Sequence, residues 1–86
     1  MVKIVNLVSN LILITEIEEV GSDIGQPDCK LINPFVINVL SDTVTLEPFM
    51  MDFTNQKSFM IHSDKIFTIA DPSEKILEKY NKITKD

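Results

Sequence analysis

The chain has 86 residues, 44% of them hydrophobic, and its 13 acidic and 8 basic side chains give a net charge of −5. This length holds one domain, and the composition excludes disordered and collagen-like proteins. The longest apolar run, residues 11–14, is too short to cross a bilayer, and no signal-peptide pattern opens the chain. The acidity argues against non-specific nucleic-acid binding, because phosphate backbones attract clustered basic residues.

Two strands are predicted in the first 20 residues. Residues 2–8 are rich in β-branched and apolar side chains, and Ser9-Asn10 suits a two-residue turn. Residues 11–20 begin as an apolar run and then alternate with glutamates, which fits a strand better than the competing helix. The next segment, residues 21–28, holds both glycines and a proline. We therefore expect a hairpin followed by a long loop.

The middle of the chain predicts a bent strand and a second hairpin. Residues 29–40 form the strand, with a break or bend at Asn33-Pro34, because proline lacks the amide hydrogen that a ladder needs. Ser41-Asp42 is the predicted turn, and residues 43–47 alternate polar and apolar side chains. An apolar cluster follows, for which core packing and a protein-binding patch are equally supported. Its members are Phe49, Met50, Met51 and Phe53.

A third hairpin completes the predicted β region. Residues 58–62 and 65–70 are two β-rich runs joined by Ser63-Asp64. Five or six short strands followed by one helix are typical of a small barrel or sandwich. We assign residues 1–86 to a single domain, with the barrel at about residues 1–70.

The end of the chain predicts an amphipathic helix at about residues 72–83. Asp71 is the expected N-cap, Pro72 the first helical residue, and Glu74 the acidic residue three positions after the cap. The helix should pack on the sheet because its apolar side chains fall on one stripe. These are Ile76, Leu77, Tyr80 and Ile83.

No catalytic, cofactor or metal site is predicted, and the protein is not expected to be an enzyme. His62 is the only histidine, and it adjoins Ser63 and Asp64 at a turn, where neighbouring side chains point apart. Cys29 is the only cysteine, which favours a reducing, cytoplasmic compartment and core packing. The acidic residues near the long loop match no calcium-loop spacing. They are Glu16, Glu18, Glu19, Asp23 and Asp28.

Residues 59–69 resemble the second signature of Sm-like proteins, in which two short strands flank an arginine-glycine turn. His62 and Ser63 stand where that family usually has arginine and glycine. Residues 2–20 are similar to the family's first two strands, and residues 29–46 to its third strand and the start of its fourth. The resemblance implies a mainly β fold, an Sm-like (LSm/Hfq-like) small barrel of five strongly bent strands, here with a C-terminal rather than an N-terminal helix.

A second resemblance concerns the source of the chain. Residues 30–37, 47–50 and 71–81 are similar to small proteins of tailed phages that infect marine cyanobacteria. This similarity implies an Sm-like barrel encoded by a phage and present in the host cytoplasm. It implies no activity.

Together these patterns predict a non-catalytic binding or scaffold module that forms a homo-oligomer, as a ring, through exposed strand edges. A chain this short buries only about 60% of the surface that its unfolded form exposes, so self-association would supply missing stability. The alternative is an RNA-binding ring that uses the turn at residues 62–65, although the net charge of −5 disfavours it. The RNA contacts would then be His62, Ser63, Asp64 and Lys65.

Overall fold

The computed structural model describes residues 1–21 and 23–85, which form six strands and one α-helix. The predicted mainly β fold with a C-terminal helix is confirmed. No helix among these residues has the length and apolar character needed to span a membrane. The strands are β1 (Val2–Leu7), β2 (Ile12–Glu19), β3 (Cys29–Leu40), β4 (Thr43–Pro48), β5 (Ser58–Ile61) and β6 (Ile66–Ala70), and the helix is α1 (Glu74–Thr84).

All six strands join one antiparallel sheet: five follow the order β4-β3-β2-β1-β6, and β5 also pairs with β3. Strand β3 is long enough to pair with two strands along the edge that faces away from β2. Its C-terminal half pairs with β4, and its N-terminal half pairs with β5. Within the described part of the chain no ladder joins β5 to β6, so the sheet curves without closing into a barrel.

The predicted first and second hairpins are confirmed, whereas the predicted third hairpin is wrong. Strand β5 pairs with β3, and β6 pairs with β1 on the opposite side of the sheet. A short 3-10 turn, Ser63–Lys65, lies between them and directs β6 away from β5. Residues 58–70 have the composition of a hairpin, because turn-forming residues separate two β-rich segments. Local composition does not specify which strand each segment pairs with.

The predicted bend in β3 is a β-bulge at Asn33 and Pro34. These two residues oppose Thr15 alone, because β3 contains one residue more than β2 between their matched positions. Asn33 has a φ of 51°, in the left-handed region that asparagine tolerates better than most residues. The Asn33 amide donates to the Lys57 carbonyl at 2.7 Å, and the Phe49 amide donates to the Pro34 carbonyl at 3.0 Å. The bulge thus anchors both ends of the segment that separates β4 from β5.

The concave face of the sheet holds the main core. Its buried members come from three adjacent strands and lie on one face in the observed register. Further apolar side chains surround this centre and are partly buried. The buried set is Val5, Leu7, Leu13 and Leu31, and the surrounding set is Leu11, Ile17, Val36, Phe49, Ile61 and Ile66.

Helix α1 covers the opposite face. Ile4, Ile14 and Phe35 are in register across β1, β2 and β3, so their side chains share that face. The Phe35 ring meets the buried Tyr80 ring edge-to-face, with centroids 5.9 Å apart. The Tyr80 hydroxyl donates to the Asn33 carbonyl at 2.9 Å. The predicted packing stripe is therefore used, with Tyr80 at its centre and Ile83 half exposed.

The helix begins two residues later than predicted. Ser73, not Asp71, is the N-cap, and its hydroxyl accepts from the Ile76 amide at 3.4 Å. Asp71 instead forms an ion pair with Lys3 of β1. Both residues have good capping side chains, so the sequence alone did not separate them.

Replacing Tyr80 by phenylalanine should lower the free energy of unfolding by about 1–2 kcal/mol, because the partly buried Asn33 carbonyl loses its phenol donor. Burial raises the pKa of Tyr80 to about 12 from the ordinary value of 10.0, so the neutral phenol stabilises the fold fully below pH 10. This contribution is lost as the pH rises through 12. Urea unfolding of the wild type and Tyr80→Phe at neutral pH and above pH 10 measures both effects.

Ile83→Ala is the matched control on the same helix, since Ile83 is half exposed and its side chain has no hydrogen-bonding group. It should cost less stability than Tyr80→Phe. An equal loss in both variants would contradict the role assigned to the phenol.

The turn of the second hairpin offers a stabilising change. Ser41 and Asp42 both have positive φ angles, 50° and 67°, as a type I′ turn requires. Asn-Gly is favoured there, so Ser41→Asn combined with Asp42→Gly should stabilise the protein by about 1 kcal/mol, or about 4–8 °C in Tm. Thermal unfolding measures the gain. Thr45→Gly, on the neighbouring strand, should lower Tm, and a loss in both proteins would contradict the turn assignment.

Candidate functional site

The turn that joins β5 to β6 contains the four residues that the sequence proposed as RNA contacts. His62 is the N-cap of the 3-10 turn, and Ser63, Asp64 and Lys65 form it. The Lys65 amide donates to the His62 carbonyl at 3.0 Å, and the Lys65 carbonyl accepts from the Val8 amide at 2.9 Å. The structure thus brings these four residues into one compact turn, tied to the end of β1.

Asp28 holds the same turn from the other side. Its carboxylate accepts from both the amide and the hydroxyl of Ser63, each at 2.7 Å. His62 makes no side-chain cap, so Asp28, which lies 35 residues before Ser63, satisfies the first amide of the turn. These bonds, led by the Ser63 hydroxyl, lower the pKa of Asp28 below its ordinary 3.8. The sequence placed Asp28 among acidic loop residues and carried no signal that paired it with Ser63.

The surface beside this turn is acidic. An open depression of about 360 Å³ is lined by Asp23, Asp28, Asp64 and His62. Within residues 1–21 and 23–85 no three acidic, histidine or cysteine side chains are placed to hold a metal ion. A phosphate group approaching the turn would meet three carboxyl side chains and find the Ser63 donors already occupied.

The apolar cluster at residues 49–53 is divided between the core and the surface. Phe49 is half buried and its ring meets Phe59 edge-to-face, with centroids 5.2 Å apart. Met50, Met51 and Phe53 are exposed, and Phe53 retains 83% of its accessible surface. Each of the two interpretations of the cluster therefore describes part of it: Phe49 packs in the core, and the other three are available for contact.

Cys29 is buried, as the sequence predicts, and pairs with Ile61 of β5. Burial raises the pKa of its thiol, which disfavours the reactive thiolate.

The free edges of β5 and β6, on either side of this turn, carry exposed apolar side chains. Met60 of β5 is 50% exposed, and Phe67 and Ile69 of β6 are 73% and 49% exposed. Ile69 pairs with Val5, so it shares the core face, although no strand of the described residues lies beyond it. An open groove of about 580 Å³ runs along this edge between β6 and the start of β3.

The two edges lack the features that usually prevent strands from pairing between molecules. Neither β5 nor β6 contains a charged residue or a proline. The outer edge of β4, by contrast, ends in Glu47 and Pro48. Open edges were expected from the sequence, and the signal that could have assigned them to these two strands is the absence of charge in residues 58–61 and 66–70.

The fold and these surfaces define an antiparallel β domain with two unprotected apolar edges. Its helix lies on the face opposite the main core, which we call the outer face. The chain belongs to a family of unknown function, DUF6561, which it matches over residues 1–85. No curated protein matches it.

Removing the Asp28 carboxylate should destabilise the turn at neutral pH. We expect Asp28→Ala to have a lower Tm than the wild type at pH 7, because the Ser63 amide and hydroxyl lose their acceptor. The lowered pKa of Asp28 means that this stability is present above 3.8 and is lost as the pH falls through the lower folded-state value. Thermal unfolding from pH 7 to pH 2 should therefore show the two proteins converging.

Asp64→Ala is the matched control, since Asp64 is an exposed acidic residue of the same turn. It should leave Tm nearly unchanged. A constant difference between Asp28→Ala and the wild type at every pH would show that the carboxylate charge is not the cause.

Proposed function

We propose that this protein is a non-catalytic, Sm-like scaffold module that assembles with copies of itself by pairing β5 of one subunit with β6 of the next. The observation that carries the proposal is the pair of uncharged, proline-free edges in one small domain. Unpaired backbone groups on such edges pair readily with another strand. Because the two edges differ, each contact is heterologous, and repeated contacts close into a ring when the rotation allows.

The Sm-like part of the proposal is supported by the way β4 and β5 share one edge of β3. Both are antiparallel to β3, and residues 49–57 separate them. Counted as one interrupted strand, they reduce the sheet to five strands, the number that the resemblance implies. The turn at residues 62–65 then lies between the fourth and fifth strands, where the resemblance puts the arginine-glycine turn.

The charges at the ends of β5 and β6, and the sheet faces on which their side chains lie, favour one register for the contact. In an antiparallel pair, Lys57 before β5 would lie opposite Asp71 after β6, whereas a parallel pair would place Lys57 beside Lys65. The same register pairs Phe59 with Ile69, and both belong to the core face in their own sheets. It also pairs Met60 with Thr68 on the outer face. A neighbour bound in this way continues the core beyond β6 and covers Ile69.

Self-association also fits the size of the core. Only seven hydrophobic residues in the described part of the chain are buried. Domains of this length bury a smaller fraction of their surface than larger domains do, and the apolar area along β5 and β6 would add to the core on assembly.

RNA binding at the turn of residues 62–65 is the less favoured alternative. The Ser63 donors are bound to Asp28, and Asp23 and Asp64 add negative charge beside them. The arginine and glycine that the Sm-like family usually has at this turn are replaced by His62 and Ser63.

We expect size-exclusion chromatography with light scattering to give one defined oligomer that persists on dilution. In a Cys29→Ala background, Met60→Cys combined with Thr68→Cys should form disulfides between subunits, because the proposed register places these outer-face residues opposite each other. Non-reducing electrophoresis after mild oxidation should then show a ladder of linked chains.

Met60→Cys combined with Thr45→Cys is the control, since Thr45 is exposed on the outer edge of β4. It should give no ladder. A monomer at every concentration, or equal linking in both pairs, would contradict assembly through β5 and β6.

A further inference from the structure

The turn between β5 and β6 connects the two edges through four residues only, so its geometry contributes to their relative direction. It is held at both ends by other parts of the sheet. Asp28, just before β3, binds Ser63 through two hydrogen bonds of 2.7 Å, and Val8, just after β1, donates to the Lys65 carbonyl at 2.9 Å. Strand β5 lies next to β3, and β6 lies next to β1.

We propose that Asp28 is a positioning residue that fixes the angle between the β5 and β6 edges and thereby the number of subunits that close a ring. The proposal rests on the assembly described under Proposed function. Asp28 makes no contact with the neighbouring subunit in this scheme, and it acts through Ser63 and the turn.

Small changes of this angle are enough to alter a ring. Each subunit must rotate its neighbour by a full circle divided by the number of copies, so rings of six and seven copies differ by about 9° per contact. The ladders hold Ile61 and Ile66 on either side of the turn, but the turn itself has one backbone bond to the rest of the sheet, to Val8, and can pivot on that contact. A second attachment, at Ser63, removes this freedom.

The chemistry of the Asp28 attachment suits a rigid connection. A carboxylate that accepts two bonds from one residue fixes the orientation of that residue, and hydrogen bonds to a charged acceptor are stronger than neutral ones. His62 offers no side-chain cap that could replace Asp28. Loss of the carboxylate therefore leaves the first amide of the turn to water and frees the Ser63 side chain.

The first test compares the copy number of the wild type, Asp28→Ala and Asp64→Ala by native mass spectrometry. We expect one copy number for the wild type and for Asp64→Ala. Asp28→Ala should give a different copy number or a mixture of at least two. The milder variant Ser63→Ala keeps the amide bond to Asp28, so it should lie between these results and remains usable if Asp28→Ala fails to fold.

The second test measures the angle within one chain. Spin labels at positions 60 and 68, in chains mixed with excess unlabelled protein, report the distance between β5 and β6 of the same subunit. We expect the distance distribution of Asp28→Ala to be at least twice as broad as that of the wild type, with Asp64→Ala unchanged.

The two tests separate the failure of this inference from that of the proposed function. Identical copy numbers and distributions in Asp28→Ala and Asp64→Ala would overturn the positioning role while leaving the assembly intact. A monomeric wild type would overturn the assembly, and the distance distributions would still decide whether Asp28 holds the two edges.

Discussion

The bulge at Asn33 and Pro34 is the constraint on which the rest of the structure depends. It divides β3 into two halves that face different neighbours, β4 and β5, and it provides the carbonyl that Tyr80 of the helix binds. Proline removes one ladder donor, and asparagine accepts the left-handed backbone that the extra residue needs. The bend thus lies between the part of β3 that pairs with β5 and the part that pairs with β4.

The apolar side chains of the sheet form two groups, one on each face. Those on the concave face pack together, and those under α1 are covered by Tyr80 and its neighbours. Curvature without closure leaves β6 with core-facing side chains and no further strand, which is why Ile69 stays half exposed. The apolar exposure of β6 is therefore a consequence of the sheet geometry, and it coincides with an edge whose backbone groups are unpaired.

Local features of this fold could be predicted from the sequence, and long-range ones could not. The bend at Asn33 and Pro34 and the turn at Ser41 and Asp42 follow from backbone preferences of single residues. The pairing of β5 with β3 depends on which apolar faces meet, and the Asp28 to Ser63 bonds join positions 35 residues apart with no pattern between them. The N-cap was misplaced because Asp71 and Ser73 have equivalent capping chemistry and only the ion pair with Lys3 distinguishes them.

The contact between Tyr80 and Asn33 spans 47 residues and joins the last element of the domain to the middle of its sheet. During synthesis every strand emerges before the helix that secures the bend. Contacts this distant in sequence form late because the loop between them must first close. A nascent chain therefore exposes the apolar edges of β5 and β6 before the docked helix secures the bend, so these edges are open to mispairing during synthesis.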